Sequence, residues 1–209
     1  MLPPILLSVA LFSGCGSAPC DEGQARAGDG TCIDLNGDEE RCDRDSLLSS
    51  DIEESERSFT SFAYSELDNG TVLVLGFEDE RDGCQVVQDH VEGRKWWHDG
   101  AIAEARFYGD WAAGGEVEVS DQPEATEHPL SMNLTISVMD EGREESIDGE
   151  ATLAAITLGE PLEISELTAS FESGAAAADT IRACHCPDVA RFWDVVPPEE
   201  TGDTDTDPL

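Results

Sequence analysis

Phe62-Ala63-Tyr64-Ser65-Glu66-Leu67-Asp68-Asn69-Gly70-Thr71-Val72-Leu73-Val74-Leu75-Gly76-Phe77 is the stretch that decides the fold. Two β-prone runs flank Asn69-Gly70, a pair that tolerates the positive φ angles of a tight hairpin turn. A two-residue turn there predicts Leu67 opposite Val72, Tyr64 opposite Leu75 and Phe62 opposite Phe77. With a side-chain period of two, Phe62, Tyr64, Leu75 and Phe77 then share one face.

The same period recurs downstream. Met132, Leu134, Ile136 and Val138 alternate with Asn133, Thr135 and Ser137, as in a half-buried strand. Val117 and Val119 alternate with Glu116 and Glu118. Leu167, Ala169 and Phe171 alternate with Thr168, Ser170 and Glu172, and Gly174 ends that run. Ala151 to Leu158 and Cys84 to Val91 are further strand candidates. Turn-type clusters stand at Glu141-Gly142, Asp148-Gly149 and Gly159-Glu160-Pro161. Three stretches depart from the strand pattern. Ser46 reads as the N-cap of a short helix reaching Ser58, with Leu47, Leu48 and Ile52 on one face. Ala101 to Ala113 has helical composition, with Asp99 in position to cap it. Ala175 to Ala178 reads as a loop despite its helix-forming alanines. Many short strands with frequent turns predict a mainly β protein: one antiparallel sandwich or barrel-like domain over residues 46–196.

Around that body the composition changes. Residues 15–45 are rich in Gly, Asp and Cys and read as a tether or small disulfide-pinned loop. Residues 197–209, Pro-Pro-Glu-Glu-Thr-Gly-Asp-Thr-Asp-Thr-Asp-Pro-Leu, lack the apolar content that ordering requires and are expected to be disordered. The chain carries 47 acidic residues against 11 basic ones, a net charge of -36, and Lys95 is its sole lysine. Such a field repels nucleic acid and anionic headgroups, which excludes DNA and RNA as partners.

The first 14 residues form a short apolar run closing on Ser13-Gly14-Cys15. The run is shorter than the about 20 residues that span a bilayer, and its small-residue end argues for cleavage. This arrangement resembles the lipobox-type signal peptide of a bacterial lipoprotein. It departs from that pattern at Phe12, where an aliphatic residue is usual, and in having no Lys or Arg before the apolar run. The Asp/Thr-rich tail and the spacing Gly149, Phe171, Gly174, Cys186 are also similar to acidic, β-rich exported lipoproteins. The resemblance implies fatty acylation at Cys15 and a membrane partner reached through that lipid. Because Gly16 is not the Asp that retains many lipoproteins at the inner membrane, it further implies the outer membrane of the cell envelope.

Acylation at Cys15 leaves six cysteines, Cys20, Cys32, Cys42, Cys84, Cys184 and Cys186. An even number in an exported chain predicts three disulfides. Cys20 and Cys32 bracket Gly28-Asp29-Gly30, and a bridge there would be worth about 3 kcal/mol. On a strand, Cys184 and Cys186 face the same way, so each is free to take a different distant partner. Cys42 and Cys84 are the candidates. The intervening His185 invites a zinc reading, but two further ligands at matching spacing are not evident.

Other candidate chemistry is sparse. Asp34, Asn36 and Asp38 resemble the opening of a calcium loop, although Glu39 stands where Gly is wanted and Asp45 where a bidentate Glu is wanted. Arg94-Lys95-Trp96-Trp97-His98 is the single basic and aromatic cluster, suited to stacking on a sugar or holding an anion. Asn69-Gly70-Thr71 and Asn133-Leu134-Thr135 match a glycosylation sequon but read better as a turn and a strand. Nucleophile-elbow, zinc-protease and phosphate-loop motifs are lacking, and His90, His98, His128 and His185 are scattered. The expectation is a lipid-anchored envelope protein with a structural or interaction role, without catalytic activity and needing no cofactor. The alternative is an extracytoplasmic binding module for calcium, a glycan or a basic partner.

Overall fold

The computed structural model describes the backbone of residues 24–26 and 32–34, and residues 42–195 apart from 53–54, 95–99, 126 and 139–141. The chain divides into two compact units, Met1–Glu39 and Glu40–Leu209. In the first, β1 (Gln24–Arg26) pairs antiparallel with β2 (Cys32–Asp34), Ala25 opposite Ile33. The leader, Cys15 and the 197–209 tail lie outside the described residues.

The second unit is mainly β and closes into a barrel, which decides between the two expected architectures. The eight wall strands are β5 (Ser61–Glu66), β6 (Val72–Phe77), β7 (Ala101–Gly109), β9 (Leu130–Val138), β8 (Gly115–Ser120), β11 (Asp148–Leu153), β12 (Leu162–Ser170) and β13 (Ala175–His185), in that spatial order. The barrel is mixed rather than purely antiparallel. Val119 pairs parallel with Met132 across the β8–β9 seam, and Cys184 pairs parallel with Ala63 where β13 meets β5. Three strands lie outside the ring. β10 (Gly142–Glu145) extends β9, while β3 (Leu48–Ile52) pairs with β4 (Ser55–Phe59) and with the first half of β13. β3 and β5 thus share one edge of β13 between them.

The deciding hairpin is present, but its register differs by one residue from the expected one. Phe62 stands opposite Gly76, Tyr64 opposite Val74 and Ala63 opposite Leu75. The cause is the turn. Leu67 N–H donates to Thr71 O and Gly70 N–H to Leu67 O, so three residues form the loop, with Gly70 in the left-handed region at φ 78°. Asn69 Oδ1 accepts from Thr71 N–H at 3.1 Å and fixes the exit. A one-residue slip exchanges faces. Phe62, Tyr64, Val72 and Val74 enter the barrel, while Ala63, Leu73, Leu75 and Phe77 face outward into a second core. Gly76 makes room for the first set: a Cβ there would come within 2.6 Å of the Phe62 ring.

The barrel interior is filled by side chains, as expected at eight strands. Strands β8 and β9 form where their alternation predicted, with Val117, Val119, Leu130, Met132, Leu134 and Ile136 buried. In β12, Ile164 and Leu167 both point inward because Glu166, at φ 54°, takes up the extra residue between them.

Five expected elements are corrected. Residues 46–58 form the β3–β4 ribbon instead of a helix, with Leu48, Ser50 and Ile52 buried at period two. Ser46 caps no helix; its Oγ accepts from Arg182 N–H at 2.7 Å and donates to Arg182 O at 3.1 Å. This satisfies β13 between its β3 and β5 partners. Ala101 to Ala113 is β7 followed by a single 3-10 turn, because Ala101, Ala103 and Ala105 are small enough to line the narrow interior. Ala175 to Ala178 opens β13 for the same reason, Ala176 and Ala178 pointing inward. Cys84 to Val91 belongs to helix α1 (Gly83–Val91), capped by Asp82, whose Oδ1 accepts from Cys84 N–H and Gln85 N–H. The fifth is Asp148-Gly149, which starts β11 rather than a turn, and that strand ends at Leu153, short of Leu158.

Candidate functional site

Helix α1 and a short 3-10 helix (Pro187–Asp194) cover the outer face of β5, β6 and β7. Val86 and Val87 from α1 and Val189 and Phe192 from the 3-10 helix pack on Leu73, Leu75, Phe77 and Ile102. The Phe192 ring lies 5.6 Å from Phe77 and stacks on His90 at 4.2 Å.

Four cysteines gather at this cap. Cys42 is bridged to Cys184 and Cys84 to Cys186, so the two thiols flanking His185 do take separate distant partners. The zinc reading of Cys184-His185-Cys186 is thereby displaced, because both sulfurs are consumed. Cys42, Cys184 and Asp82 hold three potential ligand atoms within 4.8 Å of one another. Asp82 Oδ2 lies 3.0 Å from Cys184 Sγ. In the oxidised chain neither sulfur is a thiolate, so the trio is a packing contact. Two disulfides are the mark of an extracytoplasmic protein. Bridging between Cys20 and Cys32 lies outside the described side chains.

Two carboxylates that the sequence did not single out build the junction beneath the cap. Asp43 is buried, and its Oδ2 accepts from Phe62 N–H at 3.1 Å and Gly83 N–H at 3.0 Å. One side chain therefore ties the segment before β3, barrel strand β5 and helix α1 together. Asp82, one residue before Gly83, caps the same helix. The available signal was Asp82-Gly83-Cys84, an Asp set two residues before an apolar helical run.

Most of the other expected site residues fall outside what the structure describes. Asn36, Asp38, Lys95, Trp96, Trp97 and His98 lie outside the described residues, as do the side chains of Cys32 and Asp34. Arg94 is described and pairs with Asp89 at 2.8 Å and Glu92 at 2.9 Å. His90 sits on α1 with its Nε2 3.2 Å from Phe192 O. His128 precedes β9, its Nδ1 2.8 Å from Leu130 O. His185 ends β13 and meets Tyr64 edge-on at 5.2 Å. The three stand on different elements, each engaged locally.

Burial near the barrel end sets a pH dependence. Desolvation lowers the His185 pKa below its ordinary value of 6.5. Desolvation raises that of Tyr64 above 10.0, reinforced by the Glu160 charge and opposed by a backbone hydrogen bond. The sign follows from linkage. Neutral His185 is favoured in the fold, so its contribution is present above pH 6.5 and lost as pH falls through the lowered value. The Tyr64 contribution is present below pH 10 and lost as pH rises through the raised value. Thermal melts of the protein and of His185→Gln should diverge below pH 6.5, the variant showing the shallower loss. Parallel curves would remove His185 as a cause.

Compared with known protein families, curated proteins and solved structures, the chain has no significant match to any of them.

Proposed function

We propose that this is an exported, lipid-anchored protein of the cell envelope, outer-membrane in location, with an interaction or structural role and no catalytic activity. The observation that carries this reading is the oxidised pair Cys42–Cys184 and Cys84–Cys186 beside a leader that ends at Cys15. Disulfides support transit through an oxidising compartment. With four of seven cysteines paired in this way, three are left, a number that matches a Cys20–Cys32 bridge and an acylated Cys15. A multiply acylated cysteine anchors stably, since each buried methylene is worth about 0.8 kcal/mol. The acidic tether and tail then hold the barrel off the bilayer and keep it soluble.

Mass spectrometry of the native, unreduced protein tests this directly. The expected species begins at Cys15, carries acyl mass on that residue, and is lighter by two hydrogens for each bridge. An unprocessed, fully reduced chain recovered from the cytosol would overturn the proposal.

A further inference from the structure

Strands β7, β9 and β10 present a polar surface on the outside of the barrel wall, bordering the cap at Trp193. Register lays out its floor. Arg106 stands beside Asn133, Glu104 beside Thr135, and Ile102 beside Ser137; β10 then adds Arg143 beside Ser137 and Glu145 beside Thr135. Two of these polar residues are buried although they point away from the barrel interior, Glu104 at 6 % exposure and Thr135 at 1 %. The arginines cover them. Arg106 Nε lies 2.5 Å from Glu104 Oε1, and Arg143 Nη2 lies 3.2 Å from Glu145 Oε1. Thr135 Oγ1 donates to Asn133 Oδ1 at 3.0 Å. Donors and acceptors are therefore held in place by one another before anything binds.

Two concavities lie over this floor and share Arg106 and Arg143 as walls. One, of about 540 Å³, is closed on its far side by Tyr108 and the 121–125 turn. The other, of about 250 Å³, runs to Trp193. Trp193 is 50 % exposed, a large apolar area to leave in water. Its ring meets Phe192 edge-on at 5.0 Å, and Phe192 stacks on His90, so the indole is presented from a packed neighbour.

The charges select the ligand. Arg106 is paired with Glu104 and Arg143 with Glu145, while Asp121 and Glu124 on the turn add negative charge to the larger concavity and the chain as a whole carries -36, so anions are repelled. In the smaller concavity, beside Trp193, a cationic side chain would meet the two arginines, with the lining carboxylate of Glu104 engaged by Arg106. A polyhydroxylated ring fits what remains. Its hydroxyls donate to Glu and Asn oxygens and accept from arginine N–H groups, and its apolar C–H face rests on indole. We infer that this groove binds a short neutral oligosaccharide, with Arg106, Arg143 and Asn133 bonding its hydroxyls and Trp193 stacking on one ring. The inference does not rest on lipid anchoring, since the groove is built from the barrel wall, the 121–125 turn and Trp193 of the 3-10 helix.

Titration calorimetry on the full, oxidised protein tests it. The probes are hexamers of β-1,4-glucose, α-1,4-glucose and N-acetylglucosamine, with a uronic-acid oligomer and oligolysine as charged controls. At least one neutral hexamer is expected to bind with little salt dependence. Trp193→Ala should weaken that binding by about tenfold, equivalent to about 1.4 kcal/mol, with Trp193→Phe retaining most of it. Arg143→Ala, at an exposed position, should weaken it by a similar factor without shifting the melting temperature. The inference is overturned if no neutral hexamer binds, if only the charged controls bind, or if Trp193→Ala and Arg143→Ala leave binding unchanged.

Discussion

Replacing Cys42 and Cys184 together by serine should lower the unfolding free energy by about 5 kcal/mol. The bridge spans 142 residues, and closing a loop of that length removes about 5 kcal/mol of conformational freedom from the unfolded chain. The corresponding figure for Cys84–Cys186, which spans 102 residues, is about 4.7 kcal/mol. The two loops overlap, so removing both should cost less than the sum. Native geometry adds to the case for the first bridge. It lands on Cys184, at the seam where β13 meets β5 through a very short parallel ladder, and that seam closes the barrel. Without the covalent link the seam depends on few backbone bonds and on Ser46 bridging Arg182. Urea denaturation of the oxidised protein and the double variant measures the difference. A loss below about 1 kcal/mol would mean that the unfolded chain is already compact or strained closed, and the entropic argument would fail here.

How much of this was legible in the sequence depended on whether local pattern and tertiary environment agreed. Where one face met a packed interior and the other carried polar residues, as at Met132 to Ile136 and at Val117 to Val119, alternation placed the strands correctly. The β6 run Val72 to Phe77 is buried on both faces, so its pattern held no information about which residues faced the barrel. Only the turn could set that, and a three-residue loop looks almost identical to a two-residue one when Asn69-Gly70 lies inside either. Alanine misled toward helix at Ala101 to Ala105, and at Ala175 to Ala178 it gave no strand signal, so that stretch reads as a loop. Its helix propensity is at most a few tenths of a kcal/mol per residue over its competitors, and a narrow barrel interior that admits only small side chains overrides it. The cysteine pairing was partly legible, because two residues apart on a strand means one face. The Arg106–Arg143 groove was not: its residues come from three strands and a distant 3-10 helix, and only register makes them neighbours.

Asp43→Ala should cost about 2 to 5 kcal/mol, the second large effect, because it leaves two buried backbone donors without their shared acceptor. Phe62 N–H and Gly83 N–H converge on one carboxylate oxygen at 3.1 Å and 3.0 Å, at a residue only 1 % exposed. Each orphaned amide costs about 1 to 3 kcal/mol when water cannot reach it. The position also gains from the N-terminus of α1, whose exposed amides favour negative charge. Asp43→Asn keeps an acceptor oxygen and should lose clearly less. Gly83 explains why the geometry exists at all. A Cβ there would stand 2.3 Å from the Phe62 carbonyl carbon, so only glycine lets the helix start approach β5 closely enough for one carboxylate to reach both amides. Gly83→Ala should therefore be destabilising by about 1 to 3 kcal/mol or more through forced separation of the same two backbones. Combined with Asp43→Ala it should be less than additive, since the first substitution already breaks the junction that the second would strain. Hydrogen exchange gives the local readout: in Asp43→Ala the amides of Phe62 and Gly83 should exchange faster than those of Leu134 and Ile136 in the undisturbed β9 wall. Unchanged protection at Phe62 and Gly83, together with a stability loss below about 0.5 kcal/mol, would show that water replaces the carboxylate at no cost and that Asp43 does not clamp the cap to the barrel.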